Sequence, residues 1–176
     1  MSRISPLHHE TADVHVSAIF KEIENAFGKV PNLFRTYAHH PSLLEANWNK
    51  VKAVMMQGSL GMKLKQTLAV LVSKDNSCSY CVAAHTAALK SIGVGDDKIK
   101  TIGDDPDKAG FSDKEKALIK FARKANTSPL KVSDDEFAAV RAAGASDGEI
   151  VEALGVMELF TSFNKFLDSL QVEIDF

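Results

Sequence analysis

Between Val16 and Phe27 the apolar residues recur at three- and four-residue intervals (Val16, Ile19, Phe20, Ile23, Ala26, Phe27), and Gly28 follows where a helix-ending glycine belongs. The stretch "VPNLFRTYAHHP" predicts a short helix that Pro31 starts and Pro41 ends. Leu44, Trp48, Val51 and Met55 make the next helical stripe, closed by Gly58. From about Met62 a further helix carries Leu64, Leu68, Leu71 and Val72 inward, and another begins near Cys78 and stops at Gly93.

The second half repeats the pattern with explicit start signals. Ser112 with Glu115, Ser133 with Glu136, and Ser146 with Glu149 have the capping-box spacing, in which two side chains satisfy free amides at a helix start. The last helix, from about Asp147 to Leu170, presents Ile150, Leu154, Met157, Phe160, Phe163 and Leu167 as a broad apolar face. Sustained two-residue alternation and Asn-Gly hairpins are missing, so the expected fold is all-α, a bundle of about seven to nine helices in two similar halves. One segment admits a second reading. "LAVLVS" (68–73) is apolar and partly β-branched, and as a buried strand it would give the strand–Cys-x-x-Cys–helix order of thioredoxins, but a parallel sheet needs partner strands the chain does not offer.

Composition narrows the function classes. The 176 residues suit one domain spanning 1–176, with its dithiol-bearing core at about 44–95, and can bury a core without disulfides or metals. A formal net charge of −2 with no basic stripe argues against nucleic acid as a partner. No apolar run reaches membrane-spanning length and the N-terminus lacks a signal-peptide pattern, so the expectation is a cytoplasmic protein without a membrane partner. In that reducing compartment a Cys-x-x-Cys pair points to catalysis or metal binding rather than a structural bridge.

Both cysteines lie in "SCSYCVAAHT" (77–86), with His85 four positions after Cys81. With Cys78 in the first turn of a helix capped by Asn76 or Ser77, the residues Cys78, Cys81 and His85 share one face. The helix start favours thiolate over thiol, and His85 can accept a thiol proton or donate to a leaving oxygen. A sulfenic acid on one cysteine can be captured by the other, so the pattern suits peroxide reduction or disulfide exchange. Zinc would need a fourth ligand from His8, His9, His15, His39 or His40, none at a recognisable ligand spacing. Two inert buried cysteines are the plainest alternative.

The segment "MKLKQTLAVLVSKDNSCSYCVAAHT" (62–86) resembles the alkyl hydroperoxidase D-like branch of the carboxymuconolactone decarboxylase family. The flanks 27–48 and 111–170 are similar to its peroxidase-related subgroup. The resemblance implies an all-helical homo-oligomer that reduces hydroperoxides through the dithiol, with Cys81 oxidised to a sulfenic acid and Cys78 closing the disulfide. Helix-dipole reasoning alone favours Cys78 as the stronger thiolate, so the order of the two stays open.

Two positions depart from the family pattern. Gln66 stands where the family carries a proton-relay glutamate twelve residues before the first cysteine, and an amide cannot take up a proton near neutral pH. Tyr80 stands where some members carry histidine; a phenol is a hydrogen-bond donor and a poor base. His85 is then the obvious proton acceptor, and Gln66 is either a supporting partner or a solvated helix residue.

His39 and His40 read as helix-end cations, and Trp48 with the phenylalanines as packing. Asn164, a polar residue in the apolar run Phe160–Phe166, lines a cavity near the dithiol or serves an interface. Phosphate loops, GxSxG elbows and paired-carboxylate motifs do not occur, and no organic cofactor is expected. The leading expectation is a thiol-dependent peroxidase using a small-molecule peroxide and a dithiol or protein thiol reductant. The alternatives are a non-peroxidatic thiol–disulfide oxidoreductase, a redox-responsive binding protein, and, as the family's other branch implies, a lactone decarboxylase, which does not depend on a Cys-x-x-Cys.

Overall fold

The helix Met62–Asp75 (α4) carries an unbroken apolar run, and Leu64, Leu68, Ala69, Val70, Leu71 and Val72 are all buried, which places its middle inside other helices. In the computed structural model, which describes residues 2–176, α4 is the central rod of the molecule. Ser79–Ser91 (α5), Asp113–Thr127 (α7) and Asp147–Leu170 (α9) pack against it. Val14–Phe27 (α1), Asn32–Tyr37 (α2) and Pro41–Val51 (α3) come before α4, while Asp96–Asp104 (α6) and Asp134–Ala142 (α8) complete nine α-helices among the described residues. None of these residues is in a strand, so "LAVLVS" is helical and the thioredoxin order does not arise.

The local start signals behave as the spacing predicts. Ser112, Ser133 and Ser146 each accept from the amide three residues on, and the paired glutamate accepts from the cap's own amide. Elsewhere the structure differs from the sequence pattern. The short helix after Pro31 ends at Tyr37, before Pro41, and Pro41 instead opens α3 with His40 as its cap through Nδ1. His40 therefore serves a helix start rather than a helix end. The Leu44–Met55 stripe is also not one regular helix: α3 gives way to a π-helical turn at Lys52–Met56. The nine-residue α6 has a single buried side chain, Ile102, too little apolar pattern to announce it.

Buried apolar side chains from Val16 to Val172 form one continuous cluster. Two polar couplings join α4 to α9 through it. At one end Lys65, only 2% exposed, pairs with Glu152 at 2.6 Å. At the other, Ser73 meets Asn164. No helix of the described residues is long and apolar enough to cross a membrane.

Candidate functional site

The dithiol sits where the end of α4 turns into the start of α5. Ser77 takes the left-handed conformation (φ 62°), the Ser77 amide donates to the Lys74 carbonyl, and the Cys78 amide donates to the Ser73 carbonyl at 2.9 Å. This is the pattern of a Schellman turn, with Ser77 in the place glycine usually fills. The turn sets the register of α5: Cys78 itself is the residue preceding the first turn of that helix, one position earlier than the expected placement inside that turn with Asn76 or Ser77 as cap. The same residue therefore ends one helix and begins the next.

Both thiols are free and buried, and they are hydrogen-bonded to each other. The bond from Cys81 is the largest influence on Cys78 and pulls its acidity range down, outweighing burial and the nearby Asp168 carboxylate. Cys81, which holds the shared proton and is buried besides, is pushed up. Of the two, Cys78, the cysteine nearer the helix start, is the more readily ionised.

Access runs the other way. Cys81 lines a cavity of about 380 Å³, together with His85, Gln66, Tyr80 and an aromatic wall that includes Phe34, Phe160 and Phe163. Cys78 is not part of that lining. It faces a shallow recess on the opposite side, bounded by Lys74, Ser77, Ser79 and Thr86.

His85 Nδ1 lies 2.6 Å from Gln66 Oε1. Because the amide oxygen only accepts, Nδ1 carries the hydrogen and Nε2 keeps its lone pair. The imidazole also packs edge-on against Phe160, with ring centroids 4.3 Å apart. Burial pushes its pKa down to about 3, so it is neutral throughout the physiological range. Gln66 is accordingly a partner of the histidine rather than a solvated bystander.

Tyr80 is turned toward the C-terminal segment. Its hydroxyl donates to Asp175 at 2.7 Å and accepts from the Leu33 amide at 3.2 Å, while Asp175 also accepts from the Asn32 amide at the start of α2. The ring of Phe176 closes edge-on over Tyr80. Burial first, and Asp175 next, raise the phenol well above its ordinary range, so it stays protonated.

The histidines considered as a fourth zinc ligand are engaged elsewhere: His8 with Arg35, His9 against the Phe20 ring, His15 with Glu45, His39 with the Ser5 carbonyl and His40 as the cap of α3. Among the described residues no three His, Cys, Asp or Glu side chains gather as a metal-holding group.

Sequence reasoning missed the polar floor beneath Cys81. Ser73 and Asn164 both reach its sulfur, and Asn164 Nδ2 donates to Ser73 Oγ at 3.0 Å. The signal available was Asn164 itself, an uncharged polar residue near the end of a long apolar helix face. Its fold partner Ser73 carried none.

An all-helical framework that presents a Cys-x-x-Cys at a helix start, with a histidine one turn on facing a cavity, defines a class of helical dithiol proteins. Residues 41–124, from α3 to the last turn of α7, match the model of the carboxymuconolactone decarboxylase family. An alkyl hydroperoxide reductase of Mycobacterium tuberculosis is 26% identical over 96 residues, which make up 54% of this chain and 28% of that protein. The chain thus spans little more than a quarter of the length of that relative.

Among solved structures, an alkylhydroperoxidase core, an uncharacterised peroxidase-related protein from Ralstonia eutropha JMP134, is 24% identical with a TM-score of 0.88 and covers 99% of this chain and 92% of its own. A variant of the debrominase Bmp8 in complex with tribromopyrrole has a TM-score of 0.85 at 19% identity, over 98% and 91% of the two chains. At these identities the likeness establishes a shared fold.

Proposed function

We propose that the protein is a thiol-dependent peroxidase in which Cys81 attacks an organic hydroperoxide from the aromatic cavity and Cys78 closes a disulfide behind it. The observation that supports this most directly is the division of the pair: Cys81 faces the cavity with His85, and Cys78 stands on the opposite side of it, already in hydrogen-bond contact. The Cys81 proton moves to Cys78 or transiently to Nε2 of His85, and the thiolate attacks the distal peroxide oxygen. The O–O bond breaks, Cys81 becomes a sulfenic acid, and the leaving alkoxide takes up a proton to become an alcohol. The Cys78 thiolate then attacks the Cys81 sulfur, and hydroxide leaves as water after protonation. Two thiols are oxidised and one peroxide is reduced to alcohol and water. A dithiol or protein thiol reductant restores the pair, and the recess at Cys78 offers it an approach.

His85 suits the transfer of a proton better than its storage. An imidazole with a pKa of about 3 holds no proton at rest and passes one readily to an alkoxide. We further propose a cytoplasmic homo-oligomer as the working form. Fully exposed Leu130 and the exposed Val14 and Val151 support self-association, which light scattering of the purified protein tests.

The decisive experiment is a free-thiol count before and after one equivalent of cumene hydroperoxide, paired with turnover in the presence of dithiothreitol. Loss of both thiols with turnover is expected, with a dimedone-trapped sulfenic acid on Cys81 in Cys78→Ser and none in Cys81→Ser. An unchanged thiol count refutes the proposal. Oxidation without turnover favours a redox-responsive binding protein.

A further inference from the structure

Behind Cys81, away from the cavity, lies a polar chain with a fully buried inner end that the peroxidase reading does not use. Asn164 is 1% exposed and Ser73 is 0% exposed. The orientation of the Asn164 amide is fixed by its neighbours: Asn76 Nδ2 donates to Asn164 Oδ1 at 3.0 Å, Asn76 Oδ1 accepts from Asn126 Nδ2 at 3.0 Å, and Thr161 donates to Asn126 Oδ1 at 2.8 Å. With its oxygen committed to Asn76, Asn164 can only turn its NH₂ toward Ser73 and the Cys81 sulfur. One amide hydrogen goes to Ser73 Oγ, which leaves the Ser73 hydroxyl hydrogen and the second amide hydrogen for the sulfur.

Two donors converging on one buried sulfur are poorly used by a neutral thiol, which is a weak acceptor. They are well used by a thiolate, because hydrogen bonds to a charged acceptor are roughly twice as strong as neutral ones. We propose that Ser73 and Asn164 form a thiolate-holding cradle for Cys81, which stabilises the charge on the sulfur that faces the cavity once the Cys81 proton has passed on. The cradle explains how Cys81 becomes the attacking group although the helix start favours Cys78. Asn76, Asn126 and Thr161 act through Asn164 and are positioning residues. The inference rests on the reading of Cys81 as the nucleophile in the proposed peroxidase.

The test is made in the Cys78→Ser background of the full chain, so that a single thiol reports. The rate of alkylation by iodoacetamide is followed from pH 5 to 10, with thiolate absorbance near 240 nm as a second readout. Ser73→Ala is expected to slow alkylation at pH 7 by about tenfold and to move the midpoint upward, the size expected for one hydrogen bond to a charged group. Ser73→Thr, which keeps the hydroxyl, is expected to restore the midpoint. Asn164→Asp, which retains the acceptor for Asn76 but replaces the donor with a carboxylate, is expected to move the midpoint further upward. If Asn164→Asp does not fold, the Ser73 pair decides alone.

Equal midpoints in Ser73→Ala and its parent overturn the inference, whatever the peroxide result. A shifted midpoint in a protein whose wild type consumes no peroxide upholds the cradle and removes the peroxidase reading instead.

Discussion

His85 Nδ1 and Gln66 Oε1 are 2.6 Å apart, across the interface between α5 and α4, and this neutral pair replaces the ionised one that a glutamate at 66 would make. The amide orients the ring but does not stabilise an imidazolium. Gln66→Glu therefore raises the basicity of His85, because an adjacent carboxylate favours the charged ring. The expected result is an increase of about tenfold or more in the rate of Cys81 oxidation near neutral pH, at the low end of what general-base assistance supplies. Stopped-flow oxidation of the two proteins checks it. An unchanged rate assigns Gln66 to ring orientation alone.

The depressed pKa of His85 has a signature in stability against pH. The unfolded chain binds a proton at this histidine near pH 6.5, whereas the folded protein binds it only at about pH 3. The folded state thus takes up fewer protons across that window, and stability falls as pH drops from about 6.5 toward 3. Above that window His85 is neutral in both states and contributes no slope. In His85→Gln the decline between pH 7 and 4 is expected to be shallower by up to one proton. Urea midpoints at several pH values measure it, and parallel slopes in the two proteins count against a neutral buried ring. For the same reason the oxidation rate of the wild type is expected to show no inflection near pH 6.5.

How much of this was legible in the sequence depends on how local each signal was. The three capping boxes formed as spaced because each involves groups only three residues apart. Helix α9 spans the expected residues for the same reason, with a serine cap at one end and an apolar stripe along its length. The sequence pattern sets Cys78 one position too far into α5 because the preceding turn depends on Ser77 adopting positive φ, which nothing in serine announces. The Gln66–His85 bond and the Ser73–Asn164 floor join residues 19 and 91 positions apart and exist only because α4 is sheathed by α5 and α9. Sequence pattern could nominate Gln66 and Asn164 as odd residues but could not pair them.

Tyr80 offers a separation of structure from chemistry. Its hydroxyl joins the dithiol helix to the Leu33 amide and to Asp175, which itself receives the Asn32 amide. Tyr80→Phe leaves the Leu33 amide without that acceptor and Asp175 Oδ1 without that donor, at an expected cost of about 2 kcal/mol for one buried donor and one charged acceptor. The urea midpoint should fall by the corresponding amount. A proton-donating role at the dithiol predicts the opposite pattern, a lowered kcat at unchanged stability.

At the far end of α4, Lys65 and Glu152 form a pair whose side chains are 3% and 12% exposed. Burial alone would raise the Glu152 carboxyl, but the Lys65 bond and the amides of Ser59 and Leu60 outweigh it and hold the group below its usual value. Lys65 also donates to the Gln57 carbonyl, so the pair fastens the loop "QGSLG" between the π-helical turn and α4. Glu152→Gln leaves the ammonium buried beside a neutral amide, and its expected cost is about 3 kcal/mol, the size seen when one partner of a buried ion pair is removed. Replacing both, as Lys65→Met with Glu152→Leu, removes the unpaired charge and should recover part of that loss. The recovery is limited by the Ser59 and Leu60 amides, which would still lack their carboxylate acceptor. Chemical denaturation of the three variants measures both steps. A double variant no more stable than Glu152→Gln would mean that the carboxylate's bonds to the loop amides, rather than its charge opposite Lys65, hold this end of α4 in place.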